Sequence, residues 1–199
     1  MRRLLIATKN AHKTEEIRAM LGGAWEVVDL TAYPEIPAPD ETGTTFAENA
    51  RIKAEEAARI FPGVVLSDDS GLEVDALGGD PGVHSALYAG AHGDNAGNRA
   101  RLKRELEACA KPQPWPARFR CAMALAEGGK TVAEFDGRVE GRVIAEERGA
   151  GGFGYDSMFI PEGHEGTFGE LPAAVKNGLS HRARALEKVI EWLGKRPNA

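Results

Sequence analysis

Cysteine is scarce: only Cys109 and Cys121 occur, in neither a CxxC nor a metal-like spacing. Two reduced thiols, rather than a disulfide, are the expected state. Long apolar runs are missing as well. The start, Met1-Arg2-Arg3-Leu4-Leu5-Ile6-Ala7-Thr8, is basic, but Lys9, Asn10, His12 and Lys13 cut its apolar stretch short. A signal peptide needs about 7–15 apolar residues and a membrane helix about 20. A first β-strand is expected here, and a cytoplasmic protein with no membrane partner. Positive charge is not in excess either. The net charge of -5 speaks against general affinity for nucleic-acid backbones. A small polyanion is still admissible, because a bound metal and a few local lysines outweigh the global sign. His12, His84, His92 and His164 lack zinc-like spacing, no GxSxG elbow is present for a Ser-His-Asp triad, and no GxxxxGK[ST] P-loop occurs.

What is present reads as mixed α/β. Leu4 to Thr8 has a buried-strand pattern, a helix follows from about Ala11 to Leu21, and Gly22-Gly23 stops it. Glu26 to Leu30 is a second strand, followed by a loop with Pro34, Pro37 and Pro39. Thr45 and Glu48 form a capping box for a helix that buries Phe46, Ala50, Ala54, Ala57, Ala58 and Phe61 and ends before Pro62. Val64-Val65-Leu66 is a buried strand running into the acidic turn Ser67-Asp68-Asp69-Ser70-Gly71, and Leu72 to Leu77 is another strand. A charged helix spans about Asn98 to Cys109. Ala117 to Ala126 and Thr131 to Val139, joined by Glu127-Gly128-Gly129-Lys130, predict a hairpin and a small β-rich lobe. Tyr155 to Ile160 is expected to be extended. Ser180 caps a last helix with an apolar stripe of Leu186, Val189, Ile190 and Leu193. No repeat and no long linker divides the 199 residues, so one domain, 1–199, is expected.

Four segments carry candidate chemistry. Thr8-Lys9-Asn10-Ala11-His12-Lys13 lies at a strand-to-helix junction, where free N–H groups and the helix dipole favour an anion. Plain capping by Asn10 with a solvated Lys13 explains it equally well. Asp68 and Asp69, with Asp40 and Glu41 from the proline loop, place carboxylates at the end of an apolar strand. Desolvation and mutual repulsion there call for a cation, and Mg²⁺ accepts carboxylate oxygens while bridging to phosphates. The alternative is an exposed turn reversed by Ser70-Gly71. Gly149, Gly151 and Gly154 satisfy GxGxxG, but no helix follows, so a dinucleotide fold is rejected. A base-binding loop with Phe153 as a platform fits, as does a surface turn with Phe153 and Tyr155 in the core. Lastly, Lys176 with Ser180-His181-Arg182 at the start of the last helix offers donors for a base edge or a phosphate, or is simply a capped terminus.

Taken together these segments resemble the inosine triphosphate pyrophosphatase family. The marks are Thr8-x-Asn10-x-x-Lys13, Glu41-Thr42-Gly43 before Phe46-x-Glu48-Asn49-Ala50, Ser67-Asp68-Asp69-Ser70-Gly71-Leu72, Gly78-Gly79-x-Pro81-Gly82, Phe153-Gly154-Tyr155-Asp156 and Ser180-His181-Arg182. The resemblance implies an elongated α/β fold with a mixed central sheet, flanking helices and two lobes around a cleft, assembled as a homodimer. It implies hydrolysis of non-standard purine nucleoside triphosphates (ITP, dITP, XTP) to monophosphate and pyrophosphate, cleansing the nucleotide pool. Carried over by motif, the stretch Thr8 to Lys13 holds phosphates, with Lys53 assisting. Glu41 and Asp69 serve Mg²⁺, Asp69 is the general base, Asp68 is a possible further metal partner, and Ser70 contacts substrate. Phe153 stacks on the base within the loop that includes Gly154 and Tyr155. Asp156, Lys176, His181 and Arg182 meet the base edge or the adjacent phosphate.

Two positions depart from the family pattern: Leu87 stands where Arg is common, and Ser157 where Pro is usual. Neither carries assigned chemistry. The rival readings are a Maf-like pyrophosphatase of modified pyrimidine nucleotides and a non-catalytic nucleotide sensor. The Ser180-His181-Arg182 segment and Phe153 oppose the first; Glu41, Asp68 and Asp69 together oppose the second.

Overall fold

The structure is a computed structural model and describes residues 2–196. Strands β1 (Arg2–Ile6), β2 (Trp25–Asp29), β3 (Val64–Val74), β4 (Trp115–Glu127), β5 (Lys130–Val143) and β6 (Phe159–Pro161) form one mixed sheet in the order β2-β1-β3-β4-β5-β6. β1 pairs parallel with β2 and β3, whereas β6 pairs antiparallel with β5. The helices are α1 (Ala11–Leu21), α2 (Phe46–Ala58), α3 (Asn95–Ala108), α4 (Ala173–Leu179) and α5 (His181–Gly194). Among the described residues no helix is long and apolar enough to cross a membrane.

The chain divides into two compact units. The first comprises Met1–Asp69, Cys121–Gly137 and Arg182–Ala199. Its core gathers Leu4 and Ile6 of β1, Ile17 and Leu21 of α1, Leu66 of β3, Cys121, Met123 and Leu125 of β4, and Leu186, Val189 and Leu193 of α5. The second comprises Ser70–Arg120 and Arg138–His181, around a core that includes Leu72, Val74, Leu102, Trp115, Phe119, Phe159 and Phe168. Each Leu or Phe buried in this way contributes about 1.5–3 kcal/mol relative to exposure.

Several expectations change. The acidic turn does not exist: Ser67 to Ser70 continue a single eleven-residue strand, which pairs with β1 at Val64–Leu66 and has β4 as its other neighbour. Inter-strand hydrogen bonding outweighs the local turn preference of Ser-Gly. The two late strands form their hairpin but join the one sheet instead of building a separate β lobe. Tyr155 to Ile160 is only partly extended, since Asp156–Met158 makes a 3-10 turn before β6. Lys176 sits on α4, a helix of its own that the sequence reading lacked, rather than at the start of the last helix. On α5, Ile190 is 40% exposed and falls outside the buried stripe.

Candidate active site

β3 sets the chemistry of the first unit. Successive side chains on a strand point to opposite faces of the sheet, so Asp68 and Asp69 meet different partners. Leu66 and Asp68 face α1 and α5, and Ser67 and Asp69 face α2, where the Ser67 hydroxyl donates to the Ala50 carbonyl. The neighbouring acids therefore meet different first partners on the two faces, both buried, while Lys13 still acts on Asp69 across the strand.

On the α2 side, Asp69 is gripped by one helix face. Lys53 Nζ donates to Asp69 Oδ1 at 2.7 Å, and Asn49 Nδ2 donates to Asp69 Oδ2 at 3.4 Å. These two residues are one turn apart and share the buried stripe with Ala50, Ala54 and Ala57. The helix starts here because Thr45 Oγ1 accepts from Glu48 N while Glu48 Oε2 accepts from Thr45 N, so the anticipated capping box is formed. Lys53 Nζ also lies 3.3 Å from Glu41 Oε1. The loop carrying Glu41 is tied down by Gly43 N, which donates to Asn49 Oδ1 at 2.8 Å. A Cβ on Gly43 would come within 2.6 Å of that same oxygen, so the close approach requires glycine.

Burial pushes the Asp69 carboxyl up to about 6, against the opposing pull of the Lys53 and Lys13 charges. Lys53 is lowered by burial, but the charges of Asp69 and Glu41 outweigh this and leave its ammonium raised. Among the described residues no group of three or more His, Cys, Asp and Glu side chains has metal-holding geometry. Mg²⁺ does not require one: it commonly uses one or two carboxylates, waters and substrate phosphates. Glu41 and Asp69, hard oxygen donors converging on the same ammonium, fit that donor set.

On the other face, Lys13 Nζ ion-pairs with Asp68 Oδ1 and lies 3.4 Å from the Asp68 carbonyl. Arg182 Nε is 3.1 Å from Asp68 Oδ2, Arg182 Nη1 pairs with Glu16, and the Cys121 thiol is 3.2 Å from Asp68 Oδ2. Lys13 comes from the junction singled out by sequence. There Asn10 caps α1, accepting from His12 N at 3.0 Å and Lys13 N at 3.4 Å, and Thr8 Oγ1 accepts from Asn10 N at 3.1 Å. Lys9, Ala11 and His12 are exposed.

The second unit holds the remaining candidates. Asp156 is buried and its Oδ2 accepts from Phe153 N at 2.8 Å and from Lys176 Nζ at 2.7 Å. The same ammonium stands 5.0 Å over the half-buried Phe153 ring, a cation–π contact. Gly152 allows this knot: its φ is +70° and an added Cβ would lie 2.0 Å from Asp156 Oδ2. His181 stacks on Phe119 at 4.9 Å with 14° between the rings. Gly154 accepts from Arg99 through its carbonyl, and Ser70 is half-buried on β3. Tyr155 belongs to the core, with its hydroxyl donating to the Ser85 carbonyl at 2.9 Å.

Sequence reasoning gave no role to Asn49, Glu16, Cys121 or Phe119. Asn49 was visible as part of Glu48-Asn49-Ala50, one turn before Lys53. Glu16, one turn after Lys13, and Cys121 and Phe119 on β4 carry no local sequence signal for these contacts.

The Ham1 family matches this chain over residues 4–192. The chain is 47% identical over 192 residues to the dITP/XTP pyrophosphatase of Geobacillus kaustophilus, covering 96% of this chain and 94% of that protein. It is 45% identical over 197 residues to the dITP/XTP pyrophosphatase of Halalkalibacterium halodurans, covering 97% and 100%. Among solved structures, the HAM1 protein from Coxiella burnetii matches with a TM-score of 0.86 at 36% identity, over 98% of this chain and 100% of that one. The nucleoside-triphosphatase / dITP/XTP pyrophosphatase from Mycobacterium abscessus matches with a TM-score of 0.74 at 38% identity, over 94% and 98%.

Proposed function

Because the chain belongs to the Ham1 family, we propose that it hydrolyses the triphosphates of hypoxanthine and xanthine nucleosides to monophosphate and pyrophosphate with the help of Mg²⁺. The observation that carries this reading is the environment of Asp69: a buried carboxylate held at both oxygens, beside Glu41, with its carboxyl pushed up to about 6. Bound by Glu41 and Asp69, the ion supplies charge neutralisation for the phosphates.

The protein's own residues do the rest. Asp69 orients a water and accepts its proton as the water oxygen bonds to phosphorus and the pyrophosphate oxygen leaves. A carboxylate with a pKa of about 6 is mostly ionised at neutral pH yet basic enough to take a proton. Lys13 and the N-terminal end of α1, with Thr8 and Asn10, attract the phosphates, and Lys53 offsets negative charge beside Asp69. In the second unit Phe153 provides a stacking face, while Lys176 and His181 supply donors for a 6-oxo group. Adenine presents an amine at that position and leaves such donors unpaired, which discriminates strongly. A homodimer belongs to the same reading, and sedimentation velocity tests it.

The decisive assay incubates purified protein with ITP, dITP, XTP, GTP, ATP, dUTP and a methylated pyrimidine triphosphate, with and without Mg²⁺, and separates pyrophosphate from orthophosphate. ITP, dITP and XTP are expected to turn over fastest, with pyrophosphate released only when Mg²⁺ is present. Faster turnover of the pyrimidine nucleotides would establish the Maf-like alternative, and binding without turnover a sensor.

A further inference from the structure

Asp68 is the buried acid that the proposed reaction leaves without work. It is 2% exposed, and it lies on the face of β3 opposite Glu41, Lys53 and Asp69. Each of its oxygens meets a cation: Lys13 at Oδ1 and Arg182 at Oδ2, with the Cys121 thiol also at Oδ2. Arg182 is itself 1% exposed and spans from Asp68 to Glu16 on α1, one turn beyond Lys13. Two acids and two bases thus neutralise one another inside the first unit.

We propose that Asp68 is a positioning residue that fixes the Lys13 ammonium at the phosphate-binding turn, with Arg182 as its anchor, and is not a ligand of the metal. Three features of the fold support this role. A lysine side chain is a flexible four-carbon stem with a point charge at its end, so it needs a partner to hold one direction. Lys13 has that partner at both the carboxylate and the carbonyl of Asp68. Arg182 is planar, permanently charged and buried, so it holds the carboxylate plane while leaving Oδ1 for Lys13. Finally, joining a metal with Asp69 and Glu41 would require Asp68 to cross its own strand. This inference rests on the proposed phosphate chemistry only for its consequence, since the fixing of Lys13 is a property of the folded chain.

A double-mutant cycle of Asp68→Asn and Lys13→Met tests it at two levels. In urea unfolding the two changes should be non-additive, as for residues in direct contact; additivity would overturn the proposal whatever the protein's substrate. Calorimetric titration with inorganic tripolyphosphate, which has no base, reads the phosphate turn alone. Each single variant should weaken tripolyphosphate by about tenfold, and the double variant by no more than about twofold beyond either. Losses that multiply would overturn the proposal. Titration with Mg²⁺ alone should give equal affinity for wild type and Asp68→Asn but a loss for Asp69→Asn; a matching loss in Asp68→Asn would make Asp68 a ligand. Should Asp68→Asn fail to fold with Arg182 uncompensated, the pair Asp68→Asn, Arg182→Gln replaces it in the cycle, removing both buried charges together. A wild type that binds no tripolyphosphate and hydrolyses no nucleotide would fell the functional reading, and the unfolding cycle would still decide the fixing of Lys13.

Discussion

At the scale of single residues, the site depends on what each carboxylate faces. Asp69, with its pKa raised to about 6 chiefly by burial, binds more protons folded than unfolded between about pH 4 and pH 6. Its contribution to stability is therefore present at the acid end of that window and is lost as pH rises through about 6. In the metal-free protein, the stability of wild type relative to Asp69→Asn should fall over this range, and urea unfolding at closely spaced pH values measures it. The same substitution should leave the fold intact and reduce hydrolysis to near background. An unchanged rate would remove Asp69 from the base role. Phe153→Ala is expected to raise KM on the order of tenfold with a smaller effect on kcat, since base stacking is worth roughly 1–3 kcal/mol. Steady-state kinetics with ITP checks this, and wild-type kinetics would end the stacking role. The neighbouring Tyr155 carries no such expectation, because its hydroxyl is committed to Ser85 inside the core.

At the scale of elements, α2 links capping to chemistry. The Thr45–Glu48 box fixes where the helix begins and hence where Asn49 and Lys53 fall relative to Asp69. Thr45→Ala should cost about 1 kcal/mol of stability, within the 0.5–2 kcal/mol range for lost caps. Chemical denaturation reads that loss, and turnover should drop with it while the order of preferred bases is unchanged. This helix was legible in the sequence because its signals are local: a cap, a four-residue spacing and a proline after its end. The acidic segment was not. Ser67 to Gly71 carries turn chemistry, yet it continues β3, whose first residues Val64–Leu66 pair with β1 and whose other neighbour in the sheet is β4, both distant in sequence. That one misassigned element hid the alternation along β3, which turns the Asp68 and Asp69 side chains to opposite faces of the sheet. α4 escaped for a similar reason: seven residues with a glycine at Gly178 and no side-chain cap offer little periodicity to read. The site residues themselves were visible as types, but partners such as Glu16 and Phe119 depend on packing that no local pattern encodes.

At the scale of the whole molecule, the chain passes between its two units inside strands. The boundaries fall at Asp69/Ser70 on β3, Arg120/Cys121 on β4 and Gly137/Arg138 on β5, with a fourth at the start of α5. β3 contributes Leu66 to the first core and Leu72 and Val74 to the second; β4 contributes Met123 and Leu125 to the first and Trp115 and Phe119 to the second. Melting either core therefore removes the side-chain packing from half of the strands that build the other. A chain joined through continuous strands, without a flexible linker, should unfold as one cooperative transition. The three tryptophans allow a direct test, since Trp115 lies in the second core while Trp25 and Trp192 pack against the first. A protein carrying Trp25→Phe and Trp192→Phe reports from Trp115, and one carrying Trp25→Phe and Trp115→Phe reports from Trp192. In each protein, urea unfolding followed by tryptophan fluorescence should give the same midpoint as far-ultraviolet circular dichroism. A fluorescence midpoint displaced from the dichroism midpoint in either protein would mean that the two cores melt separately and that the shared strands do not couple them.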